Sequence, residues 1–268
     1  MGINCLLASD MDGTLLNKQQ RCSVENQKAV HNFQNQGGKF IIATGRAACS
    51  VFCFVCPLGV EHGILLNGAL LYDFVNNRAM QVNPMPEEEV RALTQTVLSD
   101  YLDVSVQVYC EQVVCLLRGN EIVENRGLRE EYCDLVTPSH FLPKHWLTVT
   151  LSGPVPNMLE IQERAATDYP NLRLLRSSRH FLEATSVGVS KGTGLEFFAN
   201  HYGFSLANTV AVGDNENDLP MLQAAGVAMA VENACDSMLQ CADHILPDHN
   251  NHPIKHAIDI ICNDAQFS

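Results

Sequence analysis

The stretch NCLLASDMDGTLLN (Asn4 to Asn17) runs an apolar segment into two aspartates, Asp10 and Asp12, separated by one residue. Carboxylates this close repel each other unless a cation is near or one of them holds a proton. Far along the chain, GDNENDLPML carries Asp214 and Asp218, again directly after an apolar run. Brought together, Asp10, Asp12, Asp214 and Asp218 form an all-oxygen site for a hard cation. Mg2+ suits it, because that ion binds through one or two carboxylates, waters and a substrate phosphate oxygen. Donors to an anion stand at comparable places: Thr44 in ATGR, the backbone amides near Gly13 and Gly45, and Lys191 after GVS. Each polar strand end taken singly also fits an ordinary helix cap. An acidic cluster drawn from two strands is not something capping requires.

The elements that must position these residues alternate in both outer thirds of the chain. Ile3 to Ser9, Lys39 to Thr44 and Gly63 to Gly68 read as buried strands, with a helix from a Ser23 cap to about Gln36 between the first two. ALLYDFVNNRAMQVN reads as a hairpin around Asn76-Asn77. In the last third, a helix from Lys191 is followed by strand Asn208 to Asp214, a short helix from Asn217 to Ala225, strand Gly226 to Val231 and a helix from Ala234 to Cys241. Strands alternating with helices imply a parallel sheet covered on both faces. In such sheets ligands bind beyond the carboxyl ends of the strands, where DMDGT, TGR, NG and GDNEND all fall.

The middle follows a different pattern. A helix over Glu87 to Ser99 precedes alternating strands at Val104 to Tyr109 and Val113 to Leu117. Strand Trp146 to Ser152, helix Pro154 to Thr167 and strands at Leu172 to Leu175 and His180 to Ala184 follow. The expected fold class is α/β, a Rossmann-like parallel-sheet core with helices on both faces, plus an inserted α+β cap domain. Residues 1–84 and 188–268 form the core and 85–187 the cap. A cleft between two such domains is a usual place for a small-molecule site.

The chain of 268 residues is long enough for this arrangement, and 46% of them are hydrophobic. Thirty acidic against 17 basic residues leave a net charge of −13, which disfavours nucleic acid and anionic membrane as partners. A small phosphorylated metabolite remains open to it if cations concentrate locally. No apolar run approaches the ~18 residues of a membrane span. The start MGINCL shows neither a signal peptide nor the full myristoylation pattern, since Leu6 stands where Ser or Thr is needed. A cytoplasmic protein is expected, as a monomer or small homo-oligomer. The 11 cysteines read mainly as reduced core residues. Cys49, Cys53 and Cys56 lack a second Cys or His pair at zinc spacing and read as part of a packed helix. His249, His252 and His256 are interrupted by Pro253 and read as a loop leading into the last helix.

Four motifs in order, DMDGT, ATGR, VSKGTGL and GDNENDLPML, resemble the haloacid dehalogenase-like hydrolase superfamily. Within it the chain is similar to the Cof-type sugar-phosphate phosphatases with a subclass IIB cap, and NGALLY, FLEAT and AGVAMAVENA extend the likeness. Ala47, in place of a common proline, and DHNNHPIKHAI, in place of a glycine-containing turn, depart from the family pattern outside the expected chemistry.

The resemblance implies a Mg2+-dependent phosphatase acting in two steps. Asp10 is the nucleophile and forms an aspartyl-phosphate. Asp12 protonates the leaving alcohol and then deprotonates the hydrolytic water. The Asp10 carboxylate, the Asp12 carbonyl and the Asp214 carboxylate hold the metal, with Asp218 behind them orienting waters or Lys191. Thr44, the amides of Met11 and Gly45, Lys191 and Asn217 bind phosphoryl oxygens. Arg46 has two readings, reaching the substrate or cap, or pairing with a core acid. Asn67 either ends its strand or contacts substrate, and Glu183 stands where the cap returns to the core. Two alternatives carry the same motifs: a phosphomutase of the phosphomannomutase type, and a non-catalytic phospho-ligand-binding protein on the same scaffold.

Overall fold

A computed structural model describes residues 2–111, 113–122 and 143–267. The chain opens with β1 (Leu6–Ser9), buried along its whole length, and β1 delivers Asp10 at its carboxyl end. Helix α1 (Val24–Asn35) starts at Ser23, whose hydroxyl accepts from the Asn26 N–H at 3.2 Å. Val30 and Phe33 face inward. Ala29 is only half-buried, and the third buried position is Asn26, whose side chain accepts from the Lys255 N–H at 3.0 Å.

β2 (Lys39–Ala43), α2 (Phe52–Leu58) and β3 (His62–Leu65) come next, then β4 (Leu70–Asp73) and β5 (Arg78–Val82), paired around the Asn76-Asn77 turn. The middle of the chain gives α3 (Glu87–Asp100), β6 (Ser105–Tyr109), β7 (Val114–Arg118), β8 (Thr148–Ser152), α4 (Val155–Asp168), β9 (Leu172–Ser178) and β10 (Phe181–Ser186). Residues 123–142 of the expected cap lie outside the described residues. The chain then forms α5 (Lys191–Tyr202), β11 (Thr209–Gly213), α6 (Leu219–Ala224), β12 (Val227–Val231), α7 (Asp236–Cys241), β13 (His244–Leu246) and α8 (Pro253–Asn263).

Two sheets result. The larger has the order β13-β12-β11-β1-β2-β3-β4-β5 and is parallel from β13 to β3. β4 and β5 add to it antiparallel. Successive side chains of β1 serve opposite faces. Leu7 joins Phe33, Ile42 and Ile258 on one side, and Leu6 and Ala8 join Leu195, Phe198 and Met221 on the other. β1 sits between β2, the next strand in sequence, and β11, reached only after the whole middle of the chain. The strand order reverses there, as it does at the ligand crevices of doubly wound sheets.

The second sheet, β7-β6-β8-β10-β9, is antiparallel throughout. One face carries Val106, Val108, Val149, Leu151, Leu182 and Ala184, which pack with Val90, Leu93, Met158 and Ile161 of α3 and α4. Alternation puts Gln107, Thr148, Thr150, Glu183 and Thr185 on the other face, and these too are buried. A polar strand face usually meets water; this one turns toward the carboxyl ends of β1 and β2.

The cysteines depart from the expected core role. Cys5, Cys110 and Cys115 are buried, but Cys49, Cys53, Cys56 and Cys262 are exposed. Val51, Val55 and Leu58 form the inward face at α2. Their helical spacing leaves the nearby cysteines on the outside. His249 and His252 lie in the loop before α8, but His256 lies inside that helix, because Pro253 at its first turn starts the helix and does not interrupt it. Among the described residues no helix is long and apolar enough to cross a membrane.

Candidate active site

β1 and β11 place their terminal carboxylates side by side. The Asp10 N–H donates to the Val212 carbonyl at 2.9 Å, so the strands remain in register up to the acidic residue itself. The chain then turns through Gly13, with φ of 81°. A Cβ at Gly13 would stand 2.5 Å from Asp214 Oδ2, so only glycine lets this turn close onto the second acid. Thr14 Oγ1 donates to Asp214 Oδ1 at 3.1 Å, and Asn233 Nδ2 holds the Gly13 carbonyl at 2.8 Å.

After β11, the turn from Asp214 to Asp218 folds over one carboxylate. Asp218 Oδ2 accepts from the N–H groups of Asp214 at 3.0 Å and Asn215 at 3.2 Å. Its other oxygen, Oδ1, accepts from Lys191 Nζ at 2.6 Å, and the same ammonium donates to Asp10 Oδ1 at 2.6 Å. Lys191 is the first residue of α5. Its helix start is fixed by a reciprocal cap in which Ser190 Oγ accepts from the Thr193 N–H and Thr193 Oγ1 accepts from the Ser190 N–H, each at 3.1 Å. Gly192 lets the first turn press onto the Pro220 carbonyl, which a Cβ would approach to 2.3 Å.

Carboxylate oxygens of Asp10, Asp214 and Asp218 lie within 4.8 Å of one another. Lys191 brings one positive charge to two buried acids, Asp10 and Asp218, and the half-buried Asp214. Burial, then the charge of Asp218, pushes Asp214 up to about 7. Burial also raises Asp10 well above the usual carboxylate range, and the attraction of Lys191 does not cancel it. Desolvation outweighs the attraction of Lys191 until more positive charge arrives. Lys191 itself is raised. Burial alone would lower it, but Asp10 and Asp218 outweigh that. An oxygen-only donor set short of positive charge fits a divalent cation, and Asp10 and Asp214 present the carboxylates for one.

Asp12 points elsewhere. Its carboxylate meets Arg46, which thus pairs with a core acid. Thr44 is buried, and its Oγ1 accepts from the Arg46 N–H at 3.1 Å, tightening the turn after β2. Asn217 Nδ2 donates to Asn67 Oδ1 at 3.1 Å. Met11 lies under the turn with its side chain in the core, its carbonyl accepting from the Leu16 N–H at 2.8 Å.

Asp10, Asp12, Thr44, Gly45, Arg46, Asp214 and Asn217 line one cleft of about 230 Å³. The far wall, absent from the sequence reading apart from Glu183, consists of Tyr109, Thr150, Ser177, Ser178 and Phe181. The alternation in SVQVY, TVTLS and FLEAT is the signal that puts Tyr109, Thr150, Phe181 and Glu183 on one face. The core and this wall touch through Asn215 Nδ2, which donates to the Ser177 carbonyl at 3.0 Å, and through Asn67 Nδ2, which donates to Glu183 Oε2.

Comparison with known proteins identifies the family and the fold. A family model described as haloacid dehalogenase-like hydrolase matches residues 7–258. The putative phosphatase YxeH of Bacillus subtilis is 28% identical, covering 94% of this chain and 96% of its own. The pyridoxal phosphate phosphatase YbhA of Escherichia coli is 25% identical over 94% of this chain and 97% of its own. Among solved structures, a subclass IIB sugar phosphatase superposes with a TM-score of 0.87 at 22% identity, covering 96% of this chain and 99% of that one.

Proposed function

Because the chain belongs to the haloacid dehalogenase-like hydrolases and is a phosphatase, we propose that it hydrolyses a small phosphorylated metabolite, a sugar phosphate by preference, with Mg2+ as cofactor and an aspartyl-phosphate as intermediate. The observation that carries this reading is the cluster of the Asp10, Asp214 and Asp218 carboxylates, two of them bonded to Lys191, with Asp10 and Asp214 lining a cleft of about 230 Å³.

Asp10 and Asp214 would hold the metal, which when bound supplies positive charge to the phosphoryl oxygens and keeps Asp10 ionised. Asp10 attacks phosphorus through a carboxylate oxygen. Asp12, at the mouth of the cleft, protonates the departing alkoxide and afterwards takes a proton from the water that cleaves the acyl phosphate. Thr44, the Met11 and Gly45 amides and Asn217 donate to the phosphoryl oxygens. Lys191 neutralises Asp10 and Asp218 from behind. Phosphoryl transfer needs mainly positioning and charge stabilisation, which such a ring of donors supplies.

The hydroxyls of Thr150, Ser177 and Ser178 opposite Asp12 suit a hydroxyl-rich leaving group. One relative is named a pyridoxal phosphate phosphatase and one solved structure a sugar phosphatase, which supports a small phosphorylated substrate here. Cys5, Cys22, Cys110 and Cys115 stand as free thiols, which accords with work in the cytoplasm.

The test is phosphate release from p-nitrophenyl phosphate with Mg2+. Wild type turns over and Asp10→Asn does not; equal rates overturn the proposal. With a hexose 1-phosphate as substrate, free phosphate is expected, and a hexose 6-phosphate product would identify a mutase instead.

A further inference from the structure

The turn that follows β3 is bent against the preference of its residues. Leu66, Asn67 and Gly68 carry φ of 50°, 55° and 100° in succession. Left-handed backbone costs a non-glycine residue about 1–3 kcal/mol and persists where the surroundings over-determine it, often at functional sites. Here the Leu66 N–H donates to the Arg46 carbonyl at 3.2 Å and the Asn67 N–H to the Thr44 carbonyl at 3.0 Å. Asn83 Nδ2 holds the Gly68 carbonyl at 3.0 Å. Gly68 presses so tightly on the start of α5 that a Cβ would stand 2.1 Å from the Ser190 carbonyl oxygen.

What this bend delivers is the Asn67 side chain. It is buried between one partner on a strand of the second sheet and one in the turn after β11. Nδ2 donates to Glu183 Oε2 on β10, and Oδ1 accepts from Asn217 Nδ2. An ionised carboxylate only accepts, so Glu183 dictates which end of the Asn67 amide faces it. The other end must then accept from Asn217, which fixes the Asn217 amide in turn. Gly45 completes the group: a Cβ there would lie 3.2 Å from Glu183 Oε2 and 3.4 Å from Asn67 Nδ2. A carboxylate of the second sheet thus rests on the loop that carries Thr44 and Arg46.

We propose that Glu183 and Asn67 are positioning residues that register the second sheet on the phosphate-binding loops and orient Asn217, leaving its second N–H for a phosphoryl oxygen. The inference rests on the phosphatase reading above, with Asn217 among the phosphate donors.

Wild type, Glu183→Ala, Glu183→Gln and Asn67→Gly are compared. Glycine at position 67 removes the amide while tolerating its φ. Binding of inorganic phosphate in the presence of Mg2+ is read by calorimetry, alongside kcat and KM for p-nitrophenyl phosphate and glycerol 2-phosphate. Glu183→Ala and Asn67→Gly each weaken phosphate binding and lower kcat on both esters by roughly tenfold, the scale set by small misplacements of binding groups. The double variant loses little more than either single one, because the two act as one chain. Glu183→Gln, whose amide oxygen still accepts from Asn67, regains most of the loss. If Glu183→Ala leaves phosphate binding unchanged, the proposal is overturned, whether the variant slows only one ester, as a leaving-group contact would, or merely melts lower. A wild type that binds phosphate and hydrolyses neither ester would sink the phosphatase reading alone, since the binding comparison needs no turnover.

Discussion

Arg46 grips Asp12 as a fork: Nε donates to Oδ2 at 2.7 Å and Nη2 to Oδ1 at 2.5 Å. The same Nη2 donates to Gln20 Oε1 at 2.6 Å, and the guanidinium lies 5.2 Å from the centre of the Phe54 ring. The carboxylate proposed to move protons is therefore oriented by a planar group that is itself held on two sides. A lysine ammonium has no such fork. Arg46→Lys is expected to lower kcat roughly tenfold, the order that lost orientation costs, with little change in melting temperature. Steady-state kinetics on p-nitrophenyl phosphate decide it, and a lysine variant matching wild type would show that the fork has no part in turnover.

Lys191→Met tests the buried cation. It leaves Asp10 and Asp218 facing each other with no ammonium between them. Removing one partner of a buried pair costs about 3–5 kcal/mol, because the other charge stays buried and uncompensated. Urea denaturation is expected to show a loss of that order, and activity is expected to vanish. Adding Asp218→Asn removes one stranded charge, so the double variant recovers part of the stability without recovering turnover.

Stability should depend on pH in a direction set by Asp214. Its folded carboxyl is pushed up to about 7 from the usual 3.8 by burial and by the charge of Asp218. The folded chain binds that proton more tightly than the unfolded one. The stabilisation is fully present below the unfolded value and is lost as pH rises through about 7. In EDTA the melting temperature should fall across pH 5 to 7.5 more than it does in excess Mg2+, and the gap between the two should widen with pH. A gap that stays constant over the range would contradict this account of the acidic cluster.

Thiol reactivity should follow exposure. Cys49, Cys53 and Cys56 stand on the outside, and Cys262 is exposed but raised by burial of its sulfur and by Asp259. Burial pushes Cys5, Cys22 and Cys110 up to about 12, where the reactive thiolate is scarce. Native iodoacetamide labelling followed by peptide mass spectrometry should find the three α2-region cysteines modified first and Cys5, Cys22 and Cys110 only after denaturation.

Much of the scaffold is legible in the sequence because its signals are local. Ser23 caps α1, and Asn76-Asn77 reverses β4 into β5, Asn77 with φ of 50°. Leu6 to Ser9 are apolar enough to be buried on both faces. The meeting of Asp10, Asp214 and Asp218 is legible in the same way, since each ends or closely follows an apolar strand. β13, at three residues, is too short to show a period. The second wall of the cleft is hidden for another reason. Thr150 or Glu183 alternating with apolar neighbours looks the same whether the polar side meets water or another domain. The outward cysteines follow the register of α2, which Val51, Val55 and Leu58 set against the core.

The cleft draws its two walls from separate sheets, and this has a consequence for how such a protein diversifies. Asp10, Thr44, Lys191 and Asp214 depend for their places on β1, β2, β11 and α5, whereas Tyr109, Thr150, Ser177 and Phe181 belong to an antiparallel sheet with its own apolar interior. A lineage can drift along one wall, accepting new molecules, while selection on the other keeps the reaction unchanged. Glu183 is one place where that independence ends, because through Asn67 a change there is felt by both.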